Sequence, residues 1–251
     1  MKVHVIASGS KANVTYVETN ECKILIDIGL TKSKLVKKLA EIDVKLSEIT
    51  HILVTHLHGD HVRGLKMLLK SHRPTLMLTP KMQKALSLDN YGNVIHYQPE
   101  MAFMDVKILV LPTSHDTEES FGFVINHQGR NMVHITDTGY INEKVLKYLK
   151  NRHLYIIESN HDVEMLLNGS YYYGLKRRVL SDNGHLSNQA CATYLKMLVG
   201  DKTENIVLAH LSENNNEPDL ALKTIKDALG NKYKKNISVA KQDEILEVIE
   251  V

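Results

Sequence analysis

Apolar residues along this chain come in short runs closed by polar and turn-forming positions, and the period of the runs changes from segment to segment. VHVIA (3–7), VTYVE (14–18) and KILID (23–27) read as strands separated by turn residues. From Thr31, TKSKLVKKLAEI places Leu35, Val36, Leu39 and Ile42 at helical spacing, with lysines on the opposite face. HILVT (51–55) predicts another strand and VRGLKMLLK (62–70) a helix. TLMLT (75–79), VKILVLP (106–112), FGFVI (121–125), NMVHIT (131–136) and HLYIIE (153–158) extend the strand set. Helical patterns fill 141–150, 162–180, 187–199 and 217–229, and the tail ISVAKQDEILEVIEV ends in strand-like residues. Strands alternate with helices in both halves without a repeat or low-complexity linker. This predicts one α/β layered domain over 1–251.

Composition changes that picture little. Hydrophobic content of 43% and charged content of 24% suit an ordinary globular domain of 251 residues. A formal charge of +2 gives no global basic field, so nucleic-acid binding would need a local patch. Cys22 and Cys191 are too few for a disulfide framework, which points to a reducing compartment. MKVHVIASGS lacks the apolar core of a signal peptide, and no run approaches membrane-spanning length. The expectation is a cytoplasmic protein without membrane attachment, and no obligate protein partner is evident.

The candidate chemistry starts at THLHGDH (55–61), where three histidines and an aspartate follow an apolar run. Residues two apart in a strand share a face, so His56 and His58 are expected to point at one ion together. Gly59 allows a sharp turn, and Asp60 and His61 then open the next helix. Imidazole and carboxylate suit Zn²⁺, Mn²⁺ or Fe, and the lack of nearby cysteine argues against a closed structural zinc site. Asp60 alone would also serve as a helix N-cap. The complete H-x-H-x-D-H pattern does not reduce to one.

On these residues the chain resembles the metallo-β-lactamase fold superfamily, whose pattern adds a later His, Asp and His. Each stands at a strand end here: His115 after VKILVLPTS, Asp137 after NMVHIT, and His210 after NIVLA. LIDIG (25–29) matches the family's early strand and sets Asp27 beneath the site. The resemblance implies a four-layer αββα sandwich and two divalent metal ions per chain. His56, His58 and His115 would hold the first ion, and Asp60, His61 and His210 the second, with Asp137 bridging both. A hydroxide shared by two cations is a nucleophile at neutral pH, so the reaction implied is metal-assisted hydrolysis.

The choice of substrate rests on smaller signals. An aspartate at 137, where many β-lactamases have no bridging carboxylate, disfavours antibiotic hydrolysis. A glyoxalase-type thioesterase normally adds a helical domain after its last ligand, and only 41 residues follow His210. GHLS (184–187) is similar to a GHxS-type motif of the superfamily's nucleases, in which the histidine holds the scissile phosphate. Asp60 and His185 are therefore the catalytic candidates, although His185 could also be a loop residue before a helix starting at Ser187. ESNHD (158–162) is similar to a motif of the same branch and adds His161. ASGSKAN (7–13) is similar to the A-S-G-S-x-G-N stretch of the YycJ-like (WalJ/VicX) subgroup, with Ala12 where that stretch has glycine. Ser8, Ser10 and Asn13 are its candidate substrate contacts, or simple turn formers.

The subgroup resemblance implies a 5′-to-3′ DNA exonuclease, with RNA as a further possible substrate. With 72 residues between Asp137 and His210 there is room for a compact helical cap within about 159–200, and not for a full clamp domain. YYYGLKRRVL (171–180) in that cap sets three tyrosines beside Lys176, Arg177 and Arg178. These could stack on bases and hold phosphates, or form a solvated basic face. Lys144, Lys147, Lys150 and Arg152 make a second basic run, read as solvated surface. The alternative reading is a hydrolase of a small phosphodiester or thioester, a cyclic phosphodiesterase or glyoxalase-like enzyme, with the cap as a lid.

Overall fold

The computed structural model describes residues 1–230 and 236–251. The first sheet combines β1 (Lys2–Ala7), β2 (Val14–Glu18), β3 (Lys23–Ile26), β4 (His51–Leu53), β5 (Thr75–Leu78), β6 (Val94–His96) and the terminal β14 (Ile249–Glu250), in the order β14-β1-β2-β3-β4-β5-β6. The second contains β7 (Glu100–Phe103), β8 (Val106–Pro112), β9 (Phe121–His127), β10 (Arg130–Ile135), β11 (Leu154–Glu158), β12 (Asn205–Ala209) and β13 (Asn236–Val239), again in sequential order. Each sheet is mixed: β3 to β6 run parallel, as do β10 to β13.

Alternation along each strand explains the layering. In β11, Leu154 and Ile156 face the opposite sheet, while Tyr155 and Ile157 face the helices. Both faces are buried, so the strand reads as a continuous apolar run in place of an alternating one. The inner core joins Val5, Ile24, Leu53 and Met77 of the first sheet to Ile108, Phe123, Met132 and Val207 of the second. Outside the first sheet pack α1 (Lys32–Ala40), α3 (Leu65–Leu69) and α4 (Pro80–Ala85), through Leu35, Leu39, Leu65, Leu68 and Met82. Outside the second pack α5 (Glu143–Leu149), α8 (Asn188–Leu198) and α9 (Pro218–Leu229), through Val145, Leu149, Leu195, Leu198 and Ile225. The expected αββα sandwich is the architecture found.

Several boundaries differ from those the periodicity predicts. The strand expected over 51–55 ends at Leu53, so His56 and His58 stand in the loop beyond it and do not share a strand face. The helix expected over 62–70 divides into α2 (Gly59–Val62) and α3. The division falls at Gly64, whose N–H bonds Ile28 O and where a Cβ would lie 2.1 Å from Leu30 O. The pattern over 162–180 also divides, into α6 (Val163–Asn168) and α7 (Tyr173–Val179), and at the division Gly169 leaves no room for a Cβ, which would lie 2.6 Å from Asn215 Oδ1. α4, β6 and β7, of six, three and four residues, are too short to be read from periodicity.

Candidate metal centre

The loops after β3, β4, β8, β10, β11 and β12 converge at one end of the sandwich. Asp27, Asp137 and His210 stand just past their strands with left-handed backbone, at φ of 62°, 55° and 56°. Such conformations are costly for non-glycine residues and persist where the surroundings fix them, as they do at functional sites. Gly29 allows the closest approach: a Cβ there would lie 1.7 Å from Asp60 O. Asn13 N bonds that same Asp60 oxygen at 2.8 Å.

Four overlapping donor groups result among the described residues, each with its atoms within 4.8 Å of one another: His56, His58 and His115; Asp60, His61 and His210; His56, His61 and Asp137; and Asp137, Glu158, His185 and His210. His115 Nε2 lies 3.2 Å from His58 Nδ1, and His61 Nε2 3.4 Å from Asp60 Oδ2. Asp137 stands between the first two, with Oδ2 3.2 Å from His61 Nε2 and Oδ1 3.7 Å from His115 Nε2. His56, His61, Asp137 and His210 are almost wholly buried.

The site's own chemistry fits cations. His56 Nε2, His210 Nε2 and Asp137 Oδ2 are buried without hydrogen-bond partners, a costly state that metal coordination would relieve. Burial, aided by repulsion from His61, holds His56 well below the usual histidine range, so its lone pair is available. Burial opposes charge on His61 and His210 too, but the carboxylates, Asp137 foremost, overcome it and raise both imidazoles above the usual histidine range.

A surrounding set of hydrogen bonds aims the ligands. His61 Nδ1 meets Asp27 Oδ2 at 2.7 Å, and that carboxylate also accepts Thr55 N and Oγ1. Asn13 Nδ2 donates to Asp60 Oδ2 at 3.1 Å. Ser8 Oγ accepts the His210 N–H at 2.7 Å. Glu158, fully buried at the end of β11, receives His210 Nδ1 and His185 Nδ1, each at 2.8 Å, together with the N–H groups of Thr138 and Leu186. Sequence reading missed Glu158. Its signal was the one that marked Asp137 and His210, a polar residue straight after an apolar strand.

Of the other candidates, Ser10 and His185 line a cavity of about 150 Å³ with Asp116, Tyr171 and Arg178. Ser8 and Asn13 are instead buried against the ligand loops. His161 is buried with neither ring nitrogen hydrogen-bonded, and its backbone bridges to Ser187. Lys176 Nζ bonds Leu167 O at 2.7 Å, Arg177 lies over the Tyr173 ring, and Arg178 pairs with Asp116. Tyr172 and Tyr173 are about three-quarters exposed, so no buried tyrosine face forms there. Ala12, where the subgroup stretch has glycine, is not left-handed; the unusual backbone of that loop falls at Gly9, φ +148°.

A β-lactamase superfamily domain model matches residues 23–211. The chain belongs to the metallo-β-lactamase superfamily. It belongs there to the YycJ-like group. It is 36% identical over 236 residues to exodeoxyribonuclease WalJ of Streptococcus pneumoniae (serotype 2), covering 91% of this chain and 88% of that one. Exodeoxyribonuclease YycJ of Bacillus anthracis is 34% identical over 235 residues, at 91% and 89% coverage. The metallo-β-lactamase fold protein YhfI of Bacillus subtilis superposes with a TM-score of 0.75 at 17% identity, covering 98% of both chains. Human tRNase Z, short form, gives 0.67 at 18% identity, covering 98% of this chain and 99% of that one. Family and donor clusters together make this superfamily member a metal-dependent hydrolase. Among the described residues, no helix is long and apolar enough to cross a membrane.

Proposed function

We propose that the chain is a phosphodiesterase that degrades DNA as a 5′-to-3′ exonuclease, using two divalent cations, Zn²⁺ or Mn²⁺. The observation that carries this reading is the pairing of His185 with buried Glu158. It holds the imidazole beside the donor clusters and in the wall of the adjoining cavity. The names of the two relatives, both exodeoxyribonucleases aligned over nearly the whole chain, support the choice of DNA.

His56, His58 and His115 would hold one cation and Asp60, His61 and His210 the other, with Asp137, which stands between the two groups, available to both. When bound, the pair supplies an acidified water as nucleophile and withdraws charge from the phosphate. Asp60, the ligand carboxylate that still reaches solvent, takes a proton from the attacking side. Glu158, bonded to His185 Nδ1 at 2.8 Å, orients the ring and leaves Nε2 to meet a phosphoryl oxygen as charge builds up. Ser8 and Asn13 act behind the ligands, while Ser10 faces substrate. α6 and α7 form the cap, with Tyr172, Tyr173 and Arg177 as a stacking and charged surface. Two buried free cysteines suit a cytoplasmic enzyme.

A second reading is a lid over a small phosphodiester or thioester, and the Arg178–Asp116 pair, which draws α7 onto the site, favours it. Incubation with 5′-labelled DNA, RNA and bis(p-nitrophenyl) phosphate, under Mn²⁺ and Zn²⁺ in turn, separates the two. Processive loss of 5′ nucleotides from DNA is the expected result. Turnover of the small ester with intact DNA and RNA assigns the lid reading.

A further inference from the structure

We propose that a single-stranded polynucleotide leaves the metal centre along a groove between α5 and the β7–β8 edge of the second sheet. This rests on the nuclease reading above.

Three adjoining depressions make the groove, with volumes of about 260, 430 and 440 Å³. The first and second share Pro112, Lys144 and Val145, and the second and third share Glu100 and Leu109, so the channel is continuous. It begins beside the site. Ser114, which precedes the ligand His115, lines its near end together with Tyr140. Ser114 O accepts Gly139 N, two residues past Asp137, so both ligand loops shape the entrance. From Pro112 back to Lys107, the extended β8 floor runs about 17 Å at ~3.3–3.4 Å per residue.

The lining is that of a sequence-tolerant strand binder, in which cations follow a backbone and aromatic rings take bases. Lys144, Lys147 and Tyr148 stand three and four apart on one face of α5. Lys147 Nζ lies 4.8 Å from the Tyr148 ring centre, and Arg152 holds the Tyr148 carbonyl at 2.7 and 2.9 Å. Lys107 and Arg152 continue the positive charge at the far end. Among the described residues, no carboxylate pairs with Lys107, Lys144 or Lys147, and Glu100 is the one acid in the lining. The basic run read from sequence as solvated surface thus borders a groove leading from the metal centre, and its charge complements a polyanion.

The test compares Lys144→Glu/Lys147→Glu with Lys34→Glu/Lys37→Glu, an equal charge change on exposed lysines of α1 behind the first sheet. Metal-loaded enzyme is assayed on a 20-nucleotide single strand and on bis(p-nitrophenyl) phosphate across a salt series. The groove variant should lose on the order of tenfold or more in kcat/KM on the 20-mer relative to the control pair. Its salt dependence should be shallower by about 0.7 in log–log slope per lysine, and the small ester unaffected. Equal loss in both variants, or loss on the small ester as well, overturns the groove while leaving the nuclease reading intact. A wild type that turns over the small ester and leaves the 20-mer uncut overturns both.

Discussion

His210 donates its Nδ1 proton to Glu158 at 2.8 Å, and this bond ties the last of the proposed metal ligands to a fully buried carboxylate. The bond fixes the tautomer, leaving Nε2, which lacks a protein partner, for a cation. Burial disfavours charge on Glu158, but His185 and His210 outweigh it and hold the carboxyl below its usual range. Glu158→Gln keeps the shape and removes the charge. Metal affinity at the second site should fall about 10–100-fold, as is typical when a ligand's supporting partner is lost. Titration with Zn²⁺ against a chelating dye reads this directly, and unchanged affinity would show that the bond merely fills space.

Asp137 makes a different prediction, because it stands between the donor groups. Asp137→Asn should weaken both cation sites, whereas Asp60→Ala should empty mainly the second. Metal analysis after dialysis distinguishes them: the expected contents are well under two ions for the Asp137 variant and close to one for the Asp60 variant. Full occupancy in the Asp137 variant would rule out the bridge.

The gathering of the candidate ligands was legible because each follows an apolar strand, and the sheets bring those strand ends together. What stayed hidden depends on contacts made across the fold. Glu158 lies next to residues that were read, but its role is set by His185 and His210, 27 and 52 residues away. At the break between α6 and α7, Gly169 packs against Asn215, a contact that no local pattern announces. His56 and His58 were read as one strand face although β4 had already ended, since a loop that brings two histidines into one donor group preserves the same spacing.

Acid stability should carry a signature of His134, which lies in the sandwich interior with Nε2 3.3 Å from Thr15 Oγ1. Burial pushes its pKa down from 6.5 to about 4. Below pH 6.5 the unfolded chain therefore binds a proton that the folded chain refuses. Stability is full above that pH and falls as the pH drops toward 4, by on the order of 3 kcal/mol at most. Urea unfolding of wild type and His134→Asn at pH 7.5, 6.5, 5.5 and 4.5 isolates the effect, because metal release affects both proteins alike. The stability difference between them should shrink steadily across that window. A constant difference would mean that His134 titrates normally in the fold.

His185 separates a phosphodiesterase from other hydrolases of this fold. Its Nδ1 is committed to Glu158, its ring centre lies 5.0 Å from that of His115 and 5.2 Å from that of His210, and it lines the adjoining cavity. It lies outside the His56–His58–His115 and Asp60–His61–His210 groups, and in the group it forms with Asp137, Glu158 and His210 its Nδ1 is already taken by Glu158, so His185→Ala should keep both metal content and folding. Turnover of DNA and of bis(p-nitrophenyl) phosphate should drop by about 10²–10³-fold, the usual cost of losing one preorganised donor to developing charge. Because the donor acts on charge that builds up in the transition state, the loss should appear in kcat more than in KM. Near-normal rates on both substrates would reduce His185 to a loop residue ahead of α8 and leave the phosphodiesterase reading without its structural support.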